Sequence, residues 1–341
     1  MNILYLTVNS PPLFSGRAKQ ALFLSDYIKT KGYNVHTISL DSHELGKNSK
    51  FLRLLYSKKA SNLYNIIKYI IKNNINLVHI HGLSYTLLLA PVLRLLGVKV
   101  GMHMSCEGYD DPVTLSNRVS TKFFVPCLSF FIVQKFKYEN ISKNRFYVEN
   151  AISIDIKENK KTNKRPKVVL SGVFSPRKRQ LEVIKWASNY VDSVDFYFIG
   201  SYCNNYHEYS SSYVERCLEL SSGYNNVYLL GQLDKNGVSD VLASSDAFMA
   251  ISKTEGLSNA YVEALAYDLT PIIFDNYVDD LFSSLSIVNQ IISVPSILSG
   301  YKIIDLESCI NSSNINIAYK IKEDFSIEKV SRKIIEIYQR C

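Results

Sequence analysis

The stretch that decides the reading is Ser252-Lys253-Thr254-Glu255-Gly256-Leu257-Ser258-Asn259-Ala260-Tyr261-Val262-Glu263-Ala264-Leu265-Ala266. It follows a short apolar run, Ala247–Ile251, that reads as a strand. Gly256 permits a sharp turn and a close backbone approach to a ligand. Ser258 suits an N-cap, so a helix should start near Asn259. The free amides of that first turn, with the helix dipole, form an anion site that a diphosphate fits. Glu255 then stands on the loop before the helix, and Glu263 a little over one turn inside it. Two carboxylates beside an anion repel it unless they bind hydroxyls instead, and a carboxylate accepts bidentately from vicinal sugar hydroxyls. The pair points to a nucleotide-sugar, one Glu for the sugar and one for the ribose. Taken alone, a capping Glu and a surface Glu explain the same letters.

Outward from this segment, short β-branched runs alternate with helical patterns. Strands are expected at Ile3–Val8, Val35–Leu40, Leu77–His81, Val98–His103, Phe146–Val148, Val168–Ser171, Phe196–Ile199, Val227–Leu230, Ala247–Ile251 and Thr270–Phe274. Amphipathic stretches at Ala18–Lys31, Leu63–Lys72, Leu87–Leu96, Arg179–Tyr190 and Asn259–Tyr267 lie between them. Alternation with near-continuous apolar strands predicts parallel sheets covered on both faces. The polar run Lys157–Lys164 within Ser153–Arg165 reads as a linker, after which the pattern restarts. The expectation is an α/β chain of two Rossmann-like, doubly wound domains facing across a cleft. Ligands of such sheets bind beyond the carboxyl ends of the strands.

A length of 341 residues suits two domains rather than one core. The loop after the first strand, Asn9–Gly16, has no G-x-G-x-x-G, so a nicotinamide fingerprint is absent, as are a P-loop, H-E-x-x-H and G-x-S-x-G. The six cysteines form no C-x-x-C and read as reduced cytosolic thiols, and Cys106 has no partner to make it a nucleophile. Met1–Val8 reads as a strand and not a signal peptide. The longest apolar run, Phe123–Val133, contains Pro126 and falls short of the ~20 residues of a membrane span. The expected location is the cytoplasm.

Charge is divided unevenly. Residues 1–155 hold 19 Lys and Arg against 9 Asp and Glu, a net of +10; residues 156–341 hold 20 against 22, and the two sum to the chain's +8. The basic half suits anionic lipid or a phosphorylated substrate. Lys47, Lys50, Arg53, Lys58 and Lys59, threaded by apolar residues at 51–56, read as an amphipathic helix lying on an acidic membrane surface or docked on its own domain. Nucleic acid ranks lower, because no binding module for it appears.

Glu255 and Glu263 form E-x7-E, and Glu255-Gly256-Leu257-Ser258-Asn259-Ala260-Tyr261-Val262-Glu263-Ala264-Leu265-Ala266 resembles the donor-binding segment of family 4 retaining glycosyltransferases of the GT-B fold. Further segments fall in that family's order: Ser15-Gly16-Arg17, Leu77–Gly82, Val148–Ile152, Ser171–Lys178, and a terminal helix over about 325–341 that in the family packs back on the first domain. The resemblance implies an acceptor-binding domain over 1–155 and a nucleotide-sugar-binding domain over 165–324. Where the family carries a basic residue after Gly172 this chain has Val173, and where it favours glycine this chain has Arg179 and Asp268.

The reaction so implied is transfer of a sugar from a nucleotide diphosphate to a hydroxyl with retention at the anomeric carbon. The acceptor is expected to be a lipid-linked saccharide of bacterial surface polysaccharide, with a small soluble acceptor or a non-catalytic nucleotide-sugar-binding module as alternatives. Glu255, Lys178 and His103 are the implied catalytic groups. Gly16, Gly172, Arg177, Arg179, Gly256, Leu257, Ser258, Asn259 and Glu263 are implied in donor binding, with Arg177 or Arg179 replacing the charge absent at Val173. Arg17 and Asp110 are assigned to the acceptor side. No metal and no cofactor are implied, since fixed cations and a helix terminus serve the diphosphate; Asp110-Asp111 and Asp279-Asp280 read as solvated pairs. His103 divides evenly between a structural and a sugar-side role, and core or edge packing is the reading for His79 and His81. Phe198 or Tyr202 is a candidate for stacking on a nucleobase.

Overall fold

The computed structural model describes residues 1–7, 16–39, 52–53, 59–81, 85–104, 123–133, 144–152, 164–202, 210–252, 258–274, 292–294, 304–313 and 315–341. They form two compact units, one of Met1–Ala151 with Asp324–Cys341 and one of Ile152–Glu323. The expected linker at 153–165 lies almost wholly outside the described residues.

The first unit holds strands β1 (Asn2–Thr7), β2 (Asn34–Ser39), β3 (Leu52–Arg53), β4 (Leu77–His81), β5 (Lys99–Met104), β6 (Phe130–Val133) and β7 (Arg145–Tyr147). They pair in parallel in the order β3-β2-β1-β4-β5-β6-β7. Helices α1 (Gly16–Thr30), α2 (Lys59–Lys72) and α3 (Ala90–Leu95) connect them. Parallel strands need crossovers, and the crossover helices bury both faces. One face packs Leu4, Val78, Val100 and Phe131 against Ile66, Ile70 and Leu93. The other packs Ile3, Tyr5, Leu77 and Ile132 against Leu24 and Ile28 of α1 and Val330, Ile334 and Tyr338 near the chain end.

The second unit repeats the plan with β8 (Lys167–Ser171), β9 (Asp195–Ile199), β10 (Val227–Gly231), β11 (Ala247–Ala250), β12 (Thr270–Phe274) and β13 (Ile292–Val294), ordered β10-β9-β8-β11-β12-β13. Its helices are α4 (Gln180–Ala187), α5 (Ser211–Ser221), α6 (Lys235–Ala243), α7 (Asn259–Leu265), α8 (Leu306–Asn311) and α9 (Ala318–Asp324). Trp186, Phe196, Phe174 and Phe198 lie at the centre of its core. In both sheets the order reverses beside the first strand, between β1 and β4 and between β8 and β11. That reversal opens a crevice at the strand carboxyl ends.

The final helix, α10 (Ile327–Arg340), belongs to the first unit. Ser326 caps it by accepting from the Lys329 amide at 3.2 Å. Lys333 meets Glu149 at 2.6 Å, which ties the chain end to the last stretch of that unit. Gln20 brackets Ala151, accepting from its amide at 3.0 Å and donating to its carbonyl.

One expectation is corrected. Within the basic segment read as one amphipathic helix, Leu52–Arg53 instead form strand β3, pairing with Ile38 and Ser39, and helix α2 runs from Lys59; Lys47, Lys50 and Lys58 lie outside the described residues. The reason is the free edge of β2, which takes an extended segment that its own pattern would not specify.

Candidate functional site

The carboxyl ends of β8 and β11 lie side by side, because Ala247 and Phe248 are registered with Val168 and Val169. Between them is a pocket lined by Leu170, Ser171, Lys178, Gln180, Phe248, Met249, Ala250, Ile251, Ser252, Ser258 and Tyr261. It therefore sits at the topological switch point of the second unit, and Lys178 and Ser258, eighty residues apart, both line it.

The loop after β8 is built by backbone contacts that exclude side chains. The Gly172 amide donates to the Ile199 carbonyl at 2.9 Å and that of Phe174 to Ser201 at 3.1 Å. A Cβ on Gly200 would overlap the Gly172 carbonyl, so the two chains approach as closely as glycine allows. A Cβ on Gly172 would lie 3.3 Å from Cε of Lys178. The lysine stem thus crosses the glycine, and this places its ammonium at the pocket.

Gln180 locks this loop and was not anticipated from the sequence. It is 3% exposed. Its Nε2 donates to the carbonyls of Val173 at 3.0 Å and Gly172 at 3.4 Å, and its Oε1 accepts from the Ser175 amide at 3.3 Å. Its one legible signal is a polar residue at a helix start beside a basic loop. Arg179, immediately before it, adopts the left-handed conformation with φ 57° and ψ 29°. The family's glycine at this position thus has a backbone reason, and Arg179 keeps the same turn at a conformational cost. Arg177 and Arg179 are both half-buried on the turn that carries Lys178.

Across the pocket, α7 starts at Asn259 with Ser258 as N-cap in an extended conformation (φ −73°, ψ 123°). The Ser258 carbonyl accepts from the amides of Tyr261 and Val262 at 3.0 and 3.2 Å, while its side chain makes no capping bond. Asn259 and Glu263 are half-buried on this helix, and the Asn259 Oδ1 is buried without a hydrogen-bond partner among the described residues. Glu255, Gly256 and Leu257 lie outside the described residues, as do Asp110 and Cys106. Gly16 and Arg17 open helix α1, and their side chains are likewise outside the description. Phe198 is 1% exposed in the core, so it has no face to offer a nucleobase; Tyr202 is half-buried and meets Phe174 edge-on at 4.8 Å.

His103 lies in the first unit at the carboxyl end of β5, registered with His81 of β4. It is 4% exposed, and burial pushes its imidazole down to about 4. His79 and His81 are buried beside it and are held neutral by the same desolvation.

Residues 152–279 match the family model described as glycosyl transferases group 1. A search of curated proteins finds no match. Among solved structures, the chain is similar to a sucrose-phosphate synthase from Thermosynechococcus elongatus at TM-score 0.76 and 13% identity, covering 99% of this chain and 98% of that one. It is similar to Anabaena Alr3699/HepE in complex with UDP-glucose at TM-score 0.75 and 13% identity, covering both chains fully at 100%. It is also similar to the lipopolysaccharide outer core galactosyltransferase WaaB at TM-score 0.72 and 14% identity, covering 100% and 99%. The fold is GT-B, as the sequence led one to expect, and the resemblance to glycosyltransferases is borne out over the second unit.

Proposed function

We propose that this chain, a GT-B protein matching glycosyl transferases group 1 over residues 152–279, transfers a sugar from a nucleotide-diphosphate donor to a hydroxyl with retention. The observation that carries the proposal is the pocket at the β8/β11 switch point, where Lys178 and the start of α7 converge. A diphosphate leaving group gathers charge as the glycosidic bond breaks. The Lys178 ammonium, a guanidinium from Arg177 or Arg179 and the amides at the start of α7 stabilise that charge without reorganising. In this reading Glu263 holds the ribose and Glu255 orients the donor sugar through its hydroxyls. Gly16 is assigned to donor binding, and Arg17 and Asp110 to the acceptor. No metal is assigned to the step, because the fixed cations supply its charge. His103 is given no step, since its imidazole is buried.

The acceptor in this proposal is a lipid-linked saccharide of surface polysaccharide, met at the inner face of a membrane. Among the described residues, no helix is long and apolar enough to cross one. Support for a peripheral contact comes from the first unit. Residues 45–106 contain no Asp or Glu, but they carry Lys47, Lys50, Arg53, Lys58, Lys59, Lys68, Lys72, Arg94 and Lys99. In the same unit Leu95 is exposed at 89% and Phe123 at 63%. Arg94 donates to the Cys127 carbonyl at 3.4 Å, which joins the end of α3 to the segment that Phe123 begins. Cations with exposed apolar side chains and no acids suit an anionic bilayer surface.

The test is a nucleotide-sugar panel read by thermal shift and nucleoside diphosphate release, wild type beside Lys178→Ala and Glu255→Gln. One donor should stabilise the wild type, with release that both substitutions abolish. A folded wild type that binds no donor, with or without lipid-linked acceptor, overturns the proposal in favour of a non-catalytic module. Flotation with anionic vesicles, wild type beside Leu95→Glu/Phe123→Glu, tests the membrane contact separately.

A further inference from the structure

Parallel register gathers three imidazoles inside the first unit. His79 and His81 lie two residues apart on β4 and so share a face. His103 is registered with His81, and Tyr5 of β1 with His79. One ligand nitrogen from each histidine lies within 4.8 Å of the others, and all three residues are buried. The cluster stands at the β1/β4 reversal, on the sheet face that α1 and α10 cover.

The hydrogen bonding around it is incomplete in an informative way. His79 Nδ1 meets the Tyr338 hydroxyl at 2.5 Å, and that hydroxyl meets the Tyr5 hydroxyl at 2.7 Å. This chain holds His79 by its Nδ1 and leaves its Nε2 unengaged. His79 Nε2, His81 Nε2 and both nitrogens of His103 are buried with no hydrogen-bond partner among the described residues. Each unmet buried polar atom forfeits its hydration without a bond in return. A second proton is no remedy, since it would place a charge in the core beside two like groups.

A metal ion satisfies three of these nitrogens at once, and it takes imidazole in its neutral form. The Tyr5–Tyr338–His79 chain has the form of an outer-shell support, which fixes the ligand's tautomer and direction. Phe130 walls the site: its ring meets His79 edge-on at 5.4 Å and fills the space above Gly101. An all-imidazole set in an apolar wall selects borderline transition ions over Mg²⁺ or Ca²⁺. Zinc with nitrogens at about 2.0–2.1 Å sets them roughly 3.3 Å apart, so binding requires the ligand atoms to draw in from their spacing of up to 4.8 Å.

We propose that His79, His81 and His103 form a buried three-imidazole site for a divalent transition-metal ion, Zn²⁺ by preference. The ion fastens β4 to β5 and, through Tyr338, to the C-terminal helix. The site lies wholly in the first unit, so it stands or falls apart from the donor reading.

The experiment uses the full chain, stripped with chelator, re-supplied with Zn²⁺ and dialysed before elemental analysis. Cobalt(II) is titrated in parallel. One ion per chain is expected, together with the visible absorption of tetrahedral Co²⁺ and three sets of paramagnetically shifted imidazole protons. His81→Asn and His103→Asn should abolish uptake, while His36→Asn, outside the cluster, should keep it. A folded wild type that takes up neither ion overturns the proposal, as does uptake that survives both cluster substitutions. Because the shifted imidazole signals are read on the wild type, the test holds even where a cluster variant does not fold.

Discussion

Asp268 caps the helix that begins at Ala318: its Oδ1 accepts from the Ala318 amide at 2.7 Å. The same oxygen accepts from Ile317 at 2.7 Å, and the backbone of Asp268 is left-handed at φ 57°. Glycine would meet the conformation more cheaply, but it would leave two amides at the start of α9 without their acceptor. The departure from the family's glycine is therefore an exchange of backbone ease for a tertiary cap. Asp268→Gly should lower stability by about 1–2 kcal/mol, because charge-assisted bonds outweigh the relieved strain. Asp268→Ala should lower it further. Urea unfolding of the three chains checks the order, and a glycine variant as stable as wild type would sink the argument.

Gly200 and Gly172 make a graded pair. At Gly200 an added methyl meets a backbone carbonyl, which can retreat only by moving β8 or β9. At Gly172 it meets the far part of the Lys178 side chain at 3.3 Å, which can swing aside. Gly200→Ala should therefore reduce both stability and affinity for nucleoside diphosphate, each strongly. Gly172→Ala should leave stability within about 1 kcal/mol of wild type and weaken nucleotide binding through a displaced Lys178. Calorimetric titration with the diphosphate, beside thermal melts, separates the two. Equal effects at both positions would contradict the geometry.

Much of the architecture was legible because parallel strands buried on both faces write themselves as apolar runs. Ten expected strands correspond to observed ones within a residue or two at each end. What escaped reading had weak local signals. β6 is hidden inside the longer apolar run 123–133, where a single helical turn at Val125–Cys127, with Pro126 near its start, precedes the strand that begins at Phe130. α5 buries only Tyr213, Val214 and Cys217 of its eleven residues, too narrow a stripe to stand out. At the site, residue types were legible but partnerships were not. Gln180 acts by folding back on Gly172 and Val173, which depends on the left-handed turn at Arg179. His103 meets His81 only through strand register.

Arg179 tests how that turn is paid for. A left-handed non-glycine residue costs about 1–2 kcal/mol, against the 0.5–1 kcal/mol of backbone freedom that glycine brings to the unfolded chain. Arg179→Gly should therefore unfold at the same or slightly higher denaturant concentration than wild type. If its guanidinium supplies the charge absent at Val173, the same variant binds nucleoside diphosphate about ten- to a hundredfold more weakly, in line with the roughly 1.5–3 kcal/mol of a charged hydrogen bond. Arg177→Ala is the companion: whichever substitution weakens binding identifies the cation, and a stability loss beyond 1 kcal/mol at Arg179 would refute the strain argument.

The imidazole cluster gives the metal-free chain a pH dependence whose sign is fixed. Burial lowers the three histidines from 6.5, His103 to about 4 and His79 and His81 well below 6.5. The neighbouring hydroxyls of Tyr5 and Tyr338 are pushed up by burial and stay protonated throughout this range. Between pH 6.5 and 4 the unfolded chain therefore binds protons that the folded chain refuses, so stability falls as pH falls through that window. His103 alone contributes on the order of 3 kcal/mol to the loss. In chelator, the unfolding midpoint should drop steeply from pH 7 to pH 4.5, and the drop should be shallower in His103→Asn. A wild-type midpoint that stays level across the window would mean that these imidazoles are not buried neutral.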